Sequence, residues 1–337
     1  MSDRLKGRVA IVTGSGQGIG RTIALAMAQE GAKIVTNARL PRSTIRVGYG
    51  GKLLDTLSPQ WREFLIKRTT ELNGDAETTA KEILKLGGEA LAFSGDVSSF
   101  EVAHKLIKTA VDNFGRLDIL INNAAAIRRA PIWEVTEEDW DVQINSILKG
   151  TFNCTRHACP LMKEQGMGRI INFTSTAWLG TSLHHACYSA AKGGIVSFTK
   201  SAAVDLYPYG ITCNVIAPWA TTRGTLSNFA YAMQSAEAGS PVEKKKAIKF
   251  IEAAIGSKAL PTEAVAQLVV YLATKEATNI SGAVFRVQGS RVALYSEPTE
   301  TKKIDKKKDW WTVDELVERV PKVLLEEYHN LPAASQP

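Results

Sequence analysis

Tyr188 and Lys192 stand four residues apart in YSAAK, and on a helix that spacing puts both side chains on one face. A tyrosine phenol ordinarily titrates at about 10, too high for efficient proton exchange near neutrality. An ammonium one helical turn away favours the phenolate and lowers that value. Ser175 lies thirteen residues before Tyr188, at the end of the apolar run RIINFTS. Its hydroxyl can donate to an oxygen that gains negative charge during a reaction. Alone, a Tyr-x-x-x-Lys pair is more often a feature of an ordinary helix. The added serine makes it a candidate acid–base centre.

A second group of residues suits an anion. TGSGQGIG (13–20) follows an apolar run and opens a helical stretch. Its glycines, Gly14, Gly18 and Gly20, fit TGxxxGxG and not GxGxxG. Glycines there let the backbone turn tightly and approach a pyrophosphate, whose charge meets the helix N-terminus. A plain structural turn is the alternative. About 20 residues after such a turn, dinucleotide-binding chains commonly carry a carboxylate that grips the ribose. Here Ala38 and Arg39 stand in that place, with Arg42, Arg46 and Lys52 following. An arginine offers a planar, permanent charge suited to phosphate. A solvated surface arginine is the other reading.

The elements that would position these residues alternate. Apolar runs at 8–14, 33–38, 90–97, 117–124, 169–175, 211–218 and 282–289 read as strands, with helical stretches such as 75–87 and 101–115 between them. This predicts an α/β fold, a Rossmann-like doubly wound parallel sheet covered on both faces. Ligands then bind at the carboxyl ends of the strands. One domain is expected over 1–290, with a long insertion at 40–73 and a C-terminal extension at 291–337. In that extension Thr312 and Glu315 have capping-box spacing, Leu316, Val320, Val323 and Leu324 form a short apolar stripe, and Pro321 should bend the helix.

Composition narrows the function classes. The chain has 337 residues, is 45% hydrophobic and carries a formal charge of +7. No apolar run approaches the ~20 residues needed to span a bilayer, and MSDRLKGR holds no signal-peptide core. A cytoplasmic protein without a membrane role is expected. Much of the excess charge lies in KKIDKKKD (302–309), which reads as a solvated linker; no nucleic-acid motif accompanies it. The four cysteines and five histidines show no metal-ligand spacing, so no metal is expected.

In order along residues 5 to 290, these motifs resemble the short-chain dehydrogenase/reductase family. Asp96–Val97 at a strand end looks like the family's adenine contact, NNAA (122–125) is similar to its NNAG, and Asn145 in INSILKGTF matches a fourth active-site position. The resemblance implies catalysis by Asn145, Ser175, Tyr188 and Lys192. Hydride would pass between C4 of a nicotinamide and a carbonyl carbon. Asn145 would hold a water that reconnects Lys192 to solvent. It also implies a cofactor site built from Gly14, Gln17, Gly18, Ile19, Gly20, Arg39, Asp96, Val97, Asn123, Tyr188, Lys192, Pro218 and Thr221. Arg39 in place of an acid favours NADP(H) over NAD(H). Two departures stand out: Ala125 replaces a glycine, and Pro218–Trp219 replaces the usual Pro-Gly, so that Trp219 either walls the site or packs. Thr221 and Thr222 remain available to a carboxamide or a phosphate.

Residues 223–257 are expected to form a substrate lid, in which Leu226, Phe229, Tyr231 and Met233 precede the basic EKKKAIK (243–249). An apolar wall with a basic rim suits a hydrophobic carbonyl or alcohol substrate, CoA-linked as one option. The ending at 284–298 is similar to the hydroxyacyl-CoA dehydrogenase parts of multifunctional β-oxidation enzymes. Family likeness also implies a homodimer or homotetramer. Two rivals are a catalytically silent NADP-binding regulator or scaffold, and a dehydratase or epimerase on the same fold.

Overall fold

A computed structural model describes residues 3–40, 58–59, 62–63, 66–67, 74–182, 184–222, 260–307 and 310–327. Most of the 40–73 insertion, including Arg42, Arg46 and Lys52, and the whole 223–257 lid lie outside the described residues.

Seven parallel strands form the sheet: β1 (Val9–Val12), β2 (Lys33–Ala38), β3 (Ala90–Ser94), β4 (Ile119–Asn122), β5 (Gly168–Phe173), β6 (Ile211–Trp219) and β7 (Val284–Gln288). An eighth, β8 (Arg291–Leu294), closes one edge antiparallel to β7. The order β3-β2-β1-β4-β5-β6-β7-β8 reverses direction between β1 and β4, which makes the sheet doubly wound. β1, β4 and β5 are buried along their whole length, as a sheet covered on both faces requires.

The helices α1 (Gly18–Gln29), α2 (Ala76–Lys85), α3 (Phe100–Phe114), α4 (Glu137–Gln143), α5 (Gly150–Glu164), α6 (Ala186–Leu206) and α7 (Thr262–Ala273) cover the two faces. On one face, Ile23, Ala24 and Met27 of α1 pack with Val265 and Val269 of α7. On the other, Leu106 and Ile107 of α3 pack with Cys154 and Met162 of α5. Each large aliphatic side chain so buried contributes about 1.5–3 kcal/mol. The starts are capped as their sequences suggest: Asp75 accepts from Thr78 N, Ser99 from Val102 N and Thr136 from Asp139 N. Gly115, at φ 78°, ends α3 in the left-handed conformation.

Two compact units result, Met1–Leu294 and Tyr295–Pro337. Arg291–Leu294 adds the edge strand to the first. In the second unit, α8 (Val313–Arg319) begins with a complete capping box between Thr312 and Glu315. A wider π turn at Val320–Leu324, holding Pro321, succeeds it. Among the described residues no helix is long and apolar enough to cross a membrane.

Candidate active site

Several strands, β1, β3, β4 and β5 among them, stop short of their apolar runs, and the residues of interest fall just past the carboxyl ends. After β1 the chain turns at Gly14 (φ 63°) and Gly18 (φ 54°), a conformation that L side chains rarely adopt. The turn leaves no room for side chains. A Cβ on Gly20 would come 2.3 Å from the Gly14 carbonyl oxygen, and one on Gly14 would come 2.9 Å from the Ala124 Cα. A Cβ on Gly16 would come 2.7 Å from the Asp75 Cα. Two asparagines fasten this turn. Asn123 Nδ2 donates to the carbonyls of Thr13 and Gly14 at 3.0 and 3.2 Å. Buried Asn37 donates to the carbonyls of Phe93 and Gly95 and accepts from Gly14 N–H at 3.4 Å.

Gln17, extended at φ −162°, precedes α1, whose start has neither a side-chain cap nor an acidic residue in its first turn. That N-terminus faces Thr222, whose Cγ2 would lie 3.6 Å from a Cβ on Gly18. Glycine-lined backbone at an uncapped helix start fits a pyrophosphate well. Ile19 and Val97 mainly pack: Ile19 lies against the core, and Val97 is buried with its carbonyl accepting from Asn153. Pro218 lies in β6, and Thr221 N–H is fixed to the Leu260 carbonyl at 2.9 Å. Trp219 ends β6 opposite Gln288, partly exposed, while Ala125 is exposed.

The titratable residues come together beyond β5. Ser175 caps a short 3₁₀ turn, Thr176–Leu179, where it accepts from Ala177 N–H at 3.3 Å. Burial pushes the Tyr188 phenol up to about 12; the Ser175 hydroxyl and the charge of Arg129 pull it back down. Lys192 is 3% exposed, and burial pushes its amine down to about 7. Its Nζ donates to the Phe173 carbonyl at 2.6 Å and lies 5.6 Å from the centre of the Tyr188 ring. The four-residue spacing therefore does set the amine beside the phenol.

Asn145 sits in a π turn, Ile144–Lys149, that joins α4 to α5. Such a turn breaks the regular ladder and recurs at functional sites. It packs closely on α6: a Cβ on Gly194 would come 2.8 Å from Leu148 Cδ2. Asn145 also lines an open groove of about 440 Å³ with Arg39, Asp96, Glu137, Glu138 and Asp141. Arg39 Nε pairs there with Asp96 Oδ2 at 3.2 Å, both side chains well exposed. Two residues assigned to the cofactor thus face each other, and Arg39 is the cation in a lining rich in carboxylates.

A model of the short chain dehydrogenase family matches residues 60–231. The chain belongs to that family. It is 32% identical over 86% of its length to a 3-oxoacyl-[acyl-carrier-protein] reductase of Synechocystis, of which it covers 98%. It is 36% identical over 66% of its length to the peroxisomal multifunctional enzyme type 2 of Drosophila melanogaster, spanning 33% of that longer protein. A crystal structure of a short chain dehydrogenase from Mycobacterium avium superposes with a TM-score of 0.72 at 31% identity, covering 97% of this chain and 98% of that one. The chain is accordingly an oxidoreductase of the dehydrogenase/reductase type acting on CH–OH and carbonyl groups of small molecules, with a nicotinamide cofactor.

Three features escaped the sequence reading. Arg129 reaches the phenol through space from the loop after β4; the doubled arginine at a strand end was its one signal. Gly16 and Gly74 meet because α2 returns to the glycine turn, a contact between distant segments. Gln143, 1% exposed, ties that loop to α4 and carries no local signature.

Proposed function

We propose that the chain transfers a hydride between NADP(H) and the carbonyl or secondary alcohol of a 3-oxoacyl or 3-hydroxyacyl compound, CoA-linked as one option. The observation that carries this reading is the Lys192 amine, held by the Phe173 carbonyl 5.6 Å from the centre of the Tyr188 ring, with Ser175 acting on the same phenol. The nicotinamide supplies or accepts the hydride.

The chain's own residues handle the proton. Tyr188 gives its phenolic proton to the carbonyl oxygen in the reducing direction and recovers it in the oxidising one. Ser175 donates to the same oxygen as its charge grows, which is worth most in a site withdrawn from water. Lys192 spends one N–H on the Phe173 carbonyl; as an ammonium it has two more, for the ribose and for the field at Tyr188. Burial works against both charged forms, so a cationic neighbour lowers the working value of the phenol from the high one it has alone. Asn145, on its irregular turn, holds the water that returns the proton. Arg39 receives the 2′-phosphate by giving up its exposed pair with Asp96, a bond worth about 0–1 kcal/mol.

Replacing Tyr188 with phenylalanine is the test. Turnover of a 3-oxoacyl substrate should fall by about 10²–10⁴-fold, while NADPH binding, followed by its fluorescence, stays within a few-fold of wild type. Near-normal turnover by the variant would remove Tyr188 from the chemistry. NADPH binding by wild type without its consumption by any carbonyl would mark a binding protein instead.

A further inference from the structure

Two consecutive residues at the end of β5 hold the two ends of one residue of α6. The Phe173 carbonyl accepts from the Lys192 amine at 2.6 Å, and Thr174 Oγ1 donates to the Lys192 backbone carbonyl at 2.7 Å. Thr174 is 2% exposed, and its own N–H donates to the Ile216 carbonyl at 2.8 Å, so the hydroxyl is what it gives to α6. Lys192 lies in mid-helix, where a carbonyl already accepts from the N–H four residues on. The Thr174 bond is therefore a second one and rescues no orphaned group. The two residues after Lys192 are Gly193 and Gly194, each about 1 kcal/mol poorer in a helix than alanine. Gly194 is needed for its close approach to Leu148, whereas a Cβ on Gly193 would meet nothing nearer than the Trp178 carbonyl oxygen at 3.9 Å. α6 is thus softest just where Lys192 joins it, and the Thr174 hydroxyl grips that peptide. A similar bridge lies two turns further on. Asn172 Nδ2 donates to Thr199 Oγ1 at 2.8 Å, and Thr199 Oγ1 donates to the Ile195 carbonyl at 2.7 Å. Both bridges fasten α6 to β5, but Thr199 does not touch Lys192.

We propose that Thr174 is a positioning residue for the reaction, fixing the Lys192 peptide against β5 so that the amine stays buried beside Tyr188. This rests on the oxidoreductase reading above and adds to it a hydroxyl that acts only through Lys192. A lysine stem is flexible, so the Phe173 carbonyl alone fixes the tip and leaves the base free. Thr174 fixes the base. With both ends held, the amine keeps one place relative to the phenol ring, 5.6 Å from its centre, and little order has to be gained during reaction. Without the hydroxyl the softened helix lets the base drift, and the amine trades the Phe173 carbonyl for water.

Thr174→Val removes the hydroxyl and keeps the branched shape. Two readouts are compared: kcat for a 3-oxoacyl substrate with NADPH, and the titration of the Lys192 amine. The second is followed by carbon NMR of protein labelled at lysine, its signal assigned by its absence in Lys192→Met. In Thr174→Val, kcat should fall by about tenfold or more, since small misplacements of acting groups are costly. The amine, held by burial at about 7, should titrate higher as it gains water, by about one pH unit or more. Thr174→Ser keeps the hydroxyl and should return both values to near those of wild type. Thr199→Val is the structural control: it should lose at least as much stability, because Asn172 loses a buried partner, yet leave kcat and the amine near wild type. Thr174→Ala gives the same readings should the valine variant not fold. An amine midpoint that stays in place in Thr174→Val, or moves as far in Thr199→Val, would overturn the proposal whatever happens to kcat. A midpoint that rises while turnover holds steady upholds the positioning of Lys192 and removes that amine from the chemistry. Absence of any turnover by wild type, with the midpoint still moving, upholds the positioning and removes the oxidoreductase reading of the site.

Discussion

The cofactor end and the reacting end of this site are built by opposite means. At the glycine turn the backbone does the work: Gly14, Gly16 and Gly20 leave no space for a Cβ, Asn123 fastens the Thr13 and Gly14 carbonyls, and buried Asn37 accepts from Gly14 N–H. Function there comes from what is missing. Beyond β5 the proposed chemistry rests on side chains shifted by burial, a phenol pushed up to about 12 and an amine pushed down to about 7. One end stores shape and the other stores displaced protonation. A substitution at the first should damage folding and binding together, whereas one at the second should damage chemistry and leave the fold intact or firmer.

Gly20→Ala is the largest expected break. Its methyl would enter at 2.3 Å from the Gly14 oxygen and 2.6 Å from Asn123 Nδ2, so either the turn or its asparagine must move. Overpacking of this kind costs about 1–3 kcal/mol. Thermal unfolding should show a drop in Tm, and a fluorescence titration should show NADPH affinity reduced by at least about tenfold, since the backbone can no longer approach the phosphates. A variant with both values unchanged would mean that the turn is looser than its geometry says.

Lys192→Met tests the other end. Turnover should fall steeply because Tyr188 loses the nearest amine. Stability should respond through pH. The amine titrates at about 7 in the folded chain and at 10.5 in the reference state, so between those values the unfolded chain binds the extra proton. Wild-type stability therefore falls as pH drops from about 10 toward 7 and levels off below. The variant lacks that slope. Denaturant melts of both proteins across this range should show the variant gaining on wild type as pH falls; a difference independent of pH would place the Lys192 charge in water.

The same division explains what could be read from the sequence. Buried strands announce themselves by unbroken apolar runs, and the expected 33–38 coincides with β2. Other runs overshoot. The stretch expected at 169–175 ends as a strand at Phe173, and that expected at 90–97 ends at Ser94. The overrun holds Ser175 and Asp96, apolar in company but turned to side-chain hydrogen bonds instead of the ladder. β8 was invisible because Val292 and Leu294 are exposed on an edge strand, so no burial pattern marks it. At the site, glycine spacing and the Tyr–Lys interval are local and were legible. The π turn at Asn145 was not, since one extra residue per turn leaves no trace in a short apolar pattern. Arg129 was barely so, because the phenol it acts on lies 59 residues away in the chain and the doubled arginine alone hints at it.

Arg39 belongs to neither scheme cleanly, and it yields the smallest expected effect. It is an exposed cation whose nearest partner is Asp96, in a groove with Glu137, Glu138 and Asp141. Those carboxylates repel a 2′-phosphate, and Arg39 must outweigh them at short range. The bidentate bond to phosphate is stronger than its pair with Asp96, because that pair is solvated. Removing the guanidinium leaves only the repulsion. Arg39→Ala should therefore weaken NADPH by about tenfold, as loss of one exposed charge-assisted contact costs about 1.5 kcal/mol. NADH has no phosphate there and should hold its affinity, so the preference should narrow or reverse. Added salt screens the repulsion and should recover part of the loss in the variant. Dissociation constants for both cofactors at two ionic strengths give the answer. If wild type already binds NADH more tightly than NADPH, the carboxylates dominate and Arg39 serves only to neutralise them.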